Sequence, residues 1–425
     1  MPAAAWEQIQ EQYPGLDKID ILIGLPTFNL AATIETVLSA ILEGLDRWFP
    51  QASVIIVAAD GGSKDGTPEL IKRSIGNRRP VAVIPAIANG MVANPFAINR
   101  LSYSGMPARE ESFRSLFMIA EQSRARTCIC IDGGIRSVMP DWVELLAKPV
   151  LEKDADYVAP VFRRQRYEGS LTNGLVAPLT RALYGKRIAG QAGGAYGFSG
   201  KLISRCVQKD LWEGEAARFS IDTWLTTVAI AEGFNVWQAS LGSKIQDVKA
   251  NGLDVSMVLT QAVGAVFHYM ERYQDVWEKQ AESSAVPVSG PPFEVRAEAV
   301  TINTERMVQG FQQGLRDLLP IWEIILAPDT LEGILALGLA EEDAFTFPLP
   351  LWVQTVYDFA IAYREKVIHR DHLLKSLTPL YLGRTASLVL ETRGAGTEEV
   401  ERAVEHGCTT FERMKPYLVE RWRFQ

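Results

Sequence analysis

The sequence has no excess of positive charge: 43 Lys and Arg stand against 51 Asp and Glu, a net charge of -8. Binding along a phosphate backbone needs concentrated cations, so this balance speaks against a dedicated nucleic-acid binder. Long apolar runs are also missing. No stretch reaches the roughly 18 to 20 residues that a bilayer crossing requires, and no membrane partner is expected. The opening MPAAAWEQIQEQYPGLDKID lacks a basic segment followed by an apolar one, so it does not read as a secretory signal. Cysteine is scarce. The four residues, Cys128, Cys130, Cys206 and Cys408, show no CxxC spacing, which argues against a redox or metal pair and fits a reducing cytoplasm. The four histidines, His268, His369, His372 and His406, lie outside every motif discussed below. His369 and His372 are three apart but have no third ligand nearby and read as a surface pair. Internal repeats and low-complexity tracts are absent.

What remains is an ordinary soluble composition over 425 residues, 47% hydrophobic and 22% charged, enough for two or three domains. Short apolar runs alternate with segments of helical spacing. DILIGLP precedes a stretch with Ile34, Val37, Leu38, Ile41, Leu42 and Leu45 on one helical face. ASVIIVAADGG, VAVIPAI, RTCICID and ADYVAPVF read as further strands. SKDGTPELIKRSI, REESFRSLFMIAEQS and MPDWVELLAKPVLEKD read as the intervening helices. Alternation of this kind predicts an α/β fold whose mostly parallel sheet is covered on both faces. In TCICID, Cys128 and Cys130 alternate with Ile129 and Ile131, the pattern of a buried strand. The stretch SSAVPVSGPPFEV, residues 283–295, reads as a linker from its Pro, Gly and Ser content. Beyond it, apolar residues recur at helical spacing. The reading is one domain over 1–285 and a helical C-terminal domain over 286–425.

Ligands of open α/β sheets bind beyond the carboxyl ends of the strands. The polar residues there are Asn29, Asp60 and Asp132. In DGGSKDGT, glycines such as Gly62 allow a sharp turn and close backbone approach, and Asp60 can accept hydrogen bonds from a base or ribose. The same motif also reads as a loop in which Asp65 or Thr67 caps the next helix.

LPTFN, DGGSKDGT and CIDGG, in this order at strand ends, resemble the nucleotide-sugar domain of GT-A glycosyltransferases. RYEGSLTNGLVAPLTRALYGKRI, GGAYGFSGKL and FSIDTWLTTVAIAEGFNV narrow the resemblance to the mannosylglycerate and glucosylglycerate (glucosyl-3-phosphoglycerate) synthase-like branch. It covers roughly residues 18–250, with a nucleotide-binding half over 18–150 and an acceptor half over 151–250. The resemblance implies a Rossmann-like GT-A domain that moves a hexose from a nucleoside diphosphate sugar to a small hydroxy acid such as glycerate, with retention, in a cytoplasmic homodimer. Pro26, Asn29, Asp60 and Gly62 match the nucleotide pocket. Asp132 and Gly133 match the first half of DxD, and Arg109 stands where the group has the Lys of a Gly-Lys-Gly turn, facing the diphosphate. Gly169, Ser170, Leu171 and Thr172, with Gly193 and Gly194, match the acceptor side. Ser170 replaces the Arg that pairs with a phosphorylated acceptor, and Asp222 matches the acid at the reaction centre.

Three polar positions depart from the pattern. Gly134 stands where the second DxD acid, the main metal ligand, belongs. Gln246 stands for a metal-binding His, and Ala195 for an acid. Only Asp132, with Asp247 as a second candidate, is left to hold Mg²⁺ or Mn²⁺, and such a cation is expected to bind weakly if at all. Three outcomes stay open: metal-independent transfer with Arg109 and Lys244 screening the leaving diphosphate, metal held by substitute ligands, or a catalytically inactive protein that keeps a nucleotide or sugar. An oligomeric scaffold built on the helical tail is a further alternative.

Overall fold

Three apolar runs, Ile21–Thr27, Val54–Asp60 and Thr127–Ile131, lie side by side in one sheet, each buried along its whole length. In the computed structural model, residues 2–16, 18–86, 109–163, 169–190, 193–208, 211–212, 220–245, 254–291, 302–338 and 345–423 are described. The chain divides into two compact units. The first is Met1–Arg163, Gly190–Leu253 and Val286–Val295; the second is Arg164–Ala189, Asp254–Ala285 and Arg296–Gln425. The sequence reading drew one boundary after residue 285, whereas these units interleave along the chain. The 283–295 stretch also differs from a linker: its Val288–Ser289 pairs with a neighbouring strand, and Gln238 N–H donates to the Pro287 carbonyl at 2.8 Å.

Among its described residues the first unit carries eight strands: β1 (Ile21–Thr27), β2 (Val54–Asp60), β3 (Val81–Pro85), β4 (Thr127–Ile131), β5 (Tyr157–Arg163), β6 (Ala195–Ser199), β7 (Val236–Ser243) and β8 (Val288–Ser289). Their order in the sheet is β8-β7-β5-β6-β4-β1-β2-β3. All neighbours are parallel except β6, which runs antiparallel to both β4 and β5. The α/β class and mostly parallel sheet expected from the sequence are therefore observed.

The helices among this unit's described residues are α1 (Pro2–Gln12), α2 (Ile34–Trp48), α3 (Thr67–Ile75), α4 (Arg109–Gln122), α5 (Asp141–Glu152), α6 (Gly200–Cys206) and α7 (Ile221–Ala231). Strand alternation decides which residue meets which helix. Ile21, Ile23, Leu25, Ile129, Ile131 and Ala195 join one apolar cluster with the buried stripes of α2, α3 and α5. On the opposite face α4 packs close to the strands: a Cβ on Gly24 would stand 3.0 Å from Leu116 and 3.2 Å from Cys130 Sγ. Phe113 and Phe117 of α4 meet Tyr196 and Phe198 of β6 there, edge to face, with centroids 6.4 and 5.0 Å apart.

The strand order contains a switch point. From β1 the chain steps outward through β2 to β3, then returns to place β4 on the other side of β1. The carboxyl ends of β1 and β4 thus open away from each other's connections, which is where open α/β sheets leave a crevice.

The second unit is helical among its described residues, apart from a two-residue strand pair, Lys186–Arg187 with Ser284–Ala285. Its longest helices are Val255–Arg272, Thr304–Ile325, Leu349–Glu365 and Thr397–Arg423. Asp254 and Asn303 cap two of these, accepting from Ser256 N and Arg306 N. Buried aromatic pairs such as Trp277–Trp422 and Tyr357–Phe411 hold the bundle. No described helix is long and apolar enough to cross a membrane.

Candidate functional site

The ends of β1, β2 and β4 are tied edge to edge. Gly61 N–H donates to the Thr27 carbonyl at 2.8 Å, and Gly133 N–H donates to the Pro26 carbonyl at 3.3 Å. Asn29, held at φ 51°, accepts from Lys64 N through its side-chain oxygen, while its own N–H donates to Ser63 Oγ at 2.8 Å. The structure thus brings Pro26, Asn29, Asp60, Gly62, Asp132 and Gly133 to one edge of the sheet. A cavity of about 340 Å³ opens there beyond β2 and β3, lined by Asp60, Gly61, Gly62, Pro68, Val83, Ile84, Pro85 and Ala86. That is the size range of small-molecule sites.

Asp60 is committed within this loop. Its Oδ2 accepts from Gly62 N at 3.0 Å and Ser63 N at 2.8 Å, and its Oδ1 from Thr27 Oγ1 at 3.0 Å and Ser63 Oγ at 2.6 Å. These four bonds use the acceptor capacity of a carboxylate. Asp60 therefore shapes the loop, and the faces left to a ligand are those of the cavity wall. Asp65 does the same nearby, accepting from Thr67 N, Thr67 Oγ1 and Ala31 N.

On the α4 face of the sheet, four polar side chains form a buried cluster. Arg109, the first residue of α4, donates from both terminal nitrogens to Asp222, at 2.8 and 2.9 Å. Its Nε stands 3.6 Å from Asp132 Oδ2. Arg109 is 2% exposed, Asp222 2% and Asp132 7%. Phe113, one turn along α4, puts its ring centroid 4.9 Å from the guanidinium carbon. Burial by itself would lower the pKa of Arg109, but the charges on Asp222 and Asp132 outweigh it and hold the guanidinium above its ordinary value. Glu110 follows directly, and burial pushes its carboxyl up to about 7.

The fourth member is Tyr196, which the sequence reading did not single out. Its hydroxyl donates to Asp222 Oδ1 at 2.5 Å and accepts from Gly193 N at 2.9 Å and Gly194 N at 3.2 Å. Burial, with Asp222 beside it, raises its pKa well above the ordinary phenol value, so it stays a neutral donor. The signal was present in GGAYGFS: alternation there puts Tyr196 on the face opposite Ala195, directly across from Cys130.

The same alternation corrects one reading. Ala195 is not an emptied position of the centre; it is fully buried in the apolar cluster of the α2 and α5 face, away from Tyr196 and Arg109. Gly134 N approaches Asp132 Oδ1 at 3.4 Å, so a backbone group faces that carboxylate. Gly194 takes φ +78°, and a Cβ there would sit 3.2 Å from the Asp132 Cβ. Gly193 is closed against Pro160, 2.1 Å from an added Cβ. Lys244 places its ammonium 5.8 Å from the Phe162 ring centroid. Gln246 and Asp247 lie outside the described residues.

The remaining acceptor candidates belong to the second unit. Gly169 has φ 75°, Leu171 is buried, and Thr172 begins a turn of π-helix over Thr172–Val176. Ser170 and Tyr381 share a hydrogen bond of 2.7 Å. Single π turns often mark functional positions in helices.

The described carboxylates do not fit the divalent cation that the resemblance implies. Asp132 faces Arg109, Asp222 is held by Arg109 and Tyr196, and no group of three or more His, Cys, Asp and Glu among the described residues is placed to hold a metal.

No family model and no curated protein matches the chain. Solved structures do. Glucosyl-3-phosphoglycerate synthase from Mycobacterium tuberculosis, in complex with Mn²⁺, UDP and phosphoglyceric acid, is 17% identical, with 63% of this chain and 82% of that chain covered and a TM-score of 0.42. The same enzyme with Mn²⁺, UDP-glucose and glycerol 3-phosphate is 16% identical, with coverage of 63% and 83% and a TM-score of 0.40. A further mycobacterial protein is 14% identical, with coverage of 63% and 78% and a TM-score of 0.40. Likeness at this level transfers no residue role.

Proposed function

We propose that the chain is a GT-A type glycosyltransferase that takes a hexose from a nucleoside diphosphate sugar and passes it, with retention, to a small hydroxy acid such as glycerate. The observation that carries this reading is the crevice at the β1/β4 switch point. There Pro26, Asn29, Asp60 and Asp132 stand at adjoining strand ends, and Asp60 also lines the 340 Å³ cavity beyond β2 and β3. The cavity beyond β2 would receive the base, Asp132 the ribose, and the Asp222 cluster the sugar. Gly193 and Gly194 would receive the acceptor, as the motifs suggest, in a cytoplasmic homodimer. The need for Mg²⁺ or Mn²⁺ is weakened or absent in this reading.

A second reading is supported by one observation. Asp222 is already bonded to Arg109 and Tyr196, as a residue would be in a protein that binds nucleotide or sugar without transferring it. Purified protein incubated with UDP-glucose, GDP-mannose or ADP-glucose and glycerate, with and without Mn²⁺, separates the two. Transfer supports the first; binding without turnover supports the second. Absence of both binding and turnover removes the crevice reading altogether.

A further inference from the structure

We propose that Arg109 is a resident cation of this centre, built into the chain in place of a divalent metal ion. The inference starts from charge and place. Asp132 and Asp222 are two buried carboxylates on one face of the sheet, and a single guanidinium lies between them, bidentate to one and 3.6 Å from the other. Buried charges persist only when paired. Among the described residues one fixed positive charge there meets two negative ones, and a divalent ion added between them would sit against the guanidinium at close range. Gly134 removes the third carboxylate that would justify a doubly charged partner.

Geometry supports permanence. A guanidinium stays charged under all ordinary conditions, and its planar fork matches a carboxylate edge. The Phe113 ring fixes the plane from below, while the Tyr196 hydroxyl holds Asp222 from the other side. Arg109 is also the first residue of α4, so its backbone position is set by a helix whose Phe113, Leu116 and Phe117 are locked in the core. A metal ion leaves with a chelator; this cation cannot. A nucleoside diphosphate sugar would then meet a site whose positive charge is already present. That consequence rests on the proposed donor reading, whereas the misfit of a divalent ion between Asp132 and Asp222 does not.

The test uses the full chain and Mn²⁺ alone, followed by paramagnetic resonance of the free ion. Wild type is expected to leave the free-ion signal unchanged. Arg109→Ala vacates the space between Asp132 and Asp222 and is expected to take up a single Mn²⁺, an uptake abolished by adding Asp132→Asn. Mn²⁺ uptake by wild type that Asp132→Asn abolishes would overturn the proposal, as would a folded Arg109→Ala protein that takes up none. If Arg109→Ala fails to fold, UDP, GDP and ADP titrations of wild type decide. Equal affinity in chelator and in Mn²⁺ supports the resident cation; affinity raised roughly tenfold or more by Mn²⁺ refutes it. If no nucleotide binds in either buffer, the donor reading fails, and the Mn²⁺ titration of wild type still decides the role of Arg109.

Discussion

Tyr196→Phe removes one oxygen atom and no packing, so its effect measures the hydroxyl alone. That hydroxyl donates to Asp222 at 2.5 Å and accepts from Gly193 N and Gly194 N at 2.9 and 3.2 Å. A hydrogen bond to a charged group is worth about 1.5 to 3 kcal/mol, and a buried donor left without a partner costs about 1 to 3. Asp222 keeps both bonds from Arg109, so the carboxylate term falls at the lower end. Each amide loses one neutral hydrogen bond, so together they add about 1 to 2 kcal/mol. The sum is about 3 kcal/mol, which for a unit of this size lowers the melting temperature by about 6 to 12 °C. Thermal melts of wild type, Tyr196→Phe, Asp222→Asn and the double variant close a cycle, with an expected coupling of about 1.5 kcal/mol. A shift below about 1 °C for Tyr196→Phe, or strict additivity, would refute the claim that the phenol holds Asp222. In the transfer assay Tyr196 acts through Asp222 and through the Gly193–Gly194 amides, not on the donor directly. Its loss should therefore lower kcat more than it raises KM for the donor.

Three further outcomes follow from the same geometry. Gly194→Ala places a Cβ 3.2 Å from Asp132 and Ile135 at φ +78°, and should destabilise the fold by about 2 kcal/mol, read by urea titration. Glu110 has its pKa raised to about 7 by burial, so its contribution is full below the unfolded value of 4.5 and is lost as pH rises through 7. Glu110→Gln should therefore flatten the decline in melting temperature between those pH values. Lys415 in the second unit is lowered to about 8 by burial, and its ammonium donates to the Gln280 carbonyl at 2.6 Å. Its contribution is present above 10.5 and is lost as pH falls through 8, by up to about 3 kcal/mol, a slope that Lys415→Met should remove in pH-dependent melts.

The parts of the fold that were legible depend on local pattern. The helical stripe from Ile34 to Leu45 and the buried runs at Ile21, Val54 and Thr127 each carry their own periodicity, and each became the expected element. The antiparallel β6 did not announce itself, because AYGFS is short, follows two glycines and has the look of a loop motif. Val288–Ser289 was hidden for a related reason: Pro and Gly around it suggest a linker, yet an edge strand tolerates them. The interleaving of the two units was beyond reach, since no local signal tells residues 164–189 that their partners are more than 200 positions away.

The site shows the same division. Asn29, Asp60 and Asp132 could be placed at strand ends because a strand end is a local feature. What could not be read was where their bonding capacity goes. Asp60 is spent on its own loop, and Asp222 on an arginine 113 residues earlier. These are long-range or turn-specific bonds, and composition is silent about them. The consequence reaches chemistry. A carboxylate with free lone pairs recruits a ligand's hydroxyls or a metal; one already held by a guanidinium and a phenol instead offers a fixed, oriented dipole. Gly134 makes sense in that setting. An acid there would add a further negative charge beside a cluster in which Arg109 already faces two carboxylates, and burial would make that charge costly. Restoring an acid by Gly134→Asp without removing Arg109 should therefore not rebuild a metal site. It should raise the new carboxyl's pKa and lower stability, whereas Gly134→Asp combined with Arg109→Ala should bind Mn²⁺ more tightly than Arg109→Ala alone. The reverse order of affinities would mean that Asp132 and Gly134 do not face a common space, and the account of a cation exchanged for an arginine would fall with it.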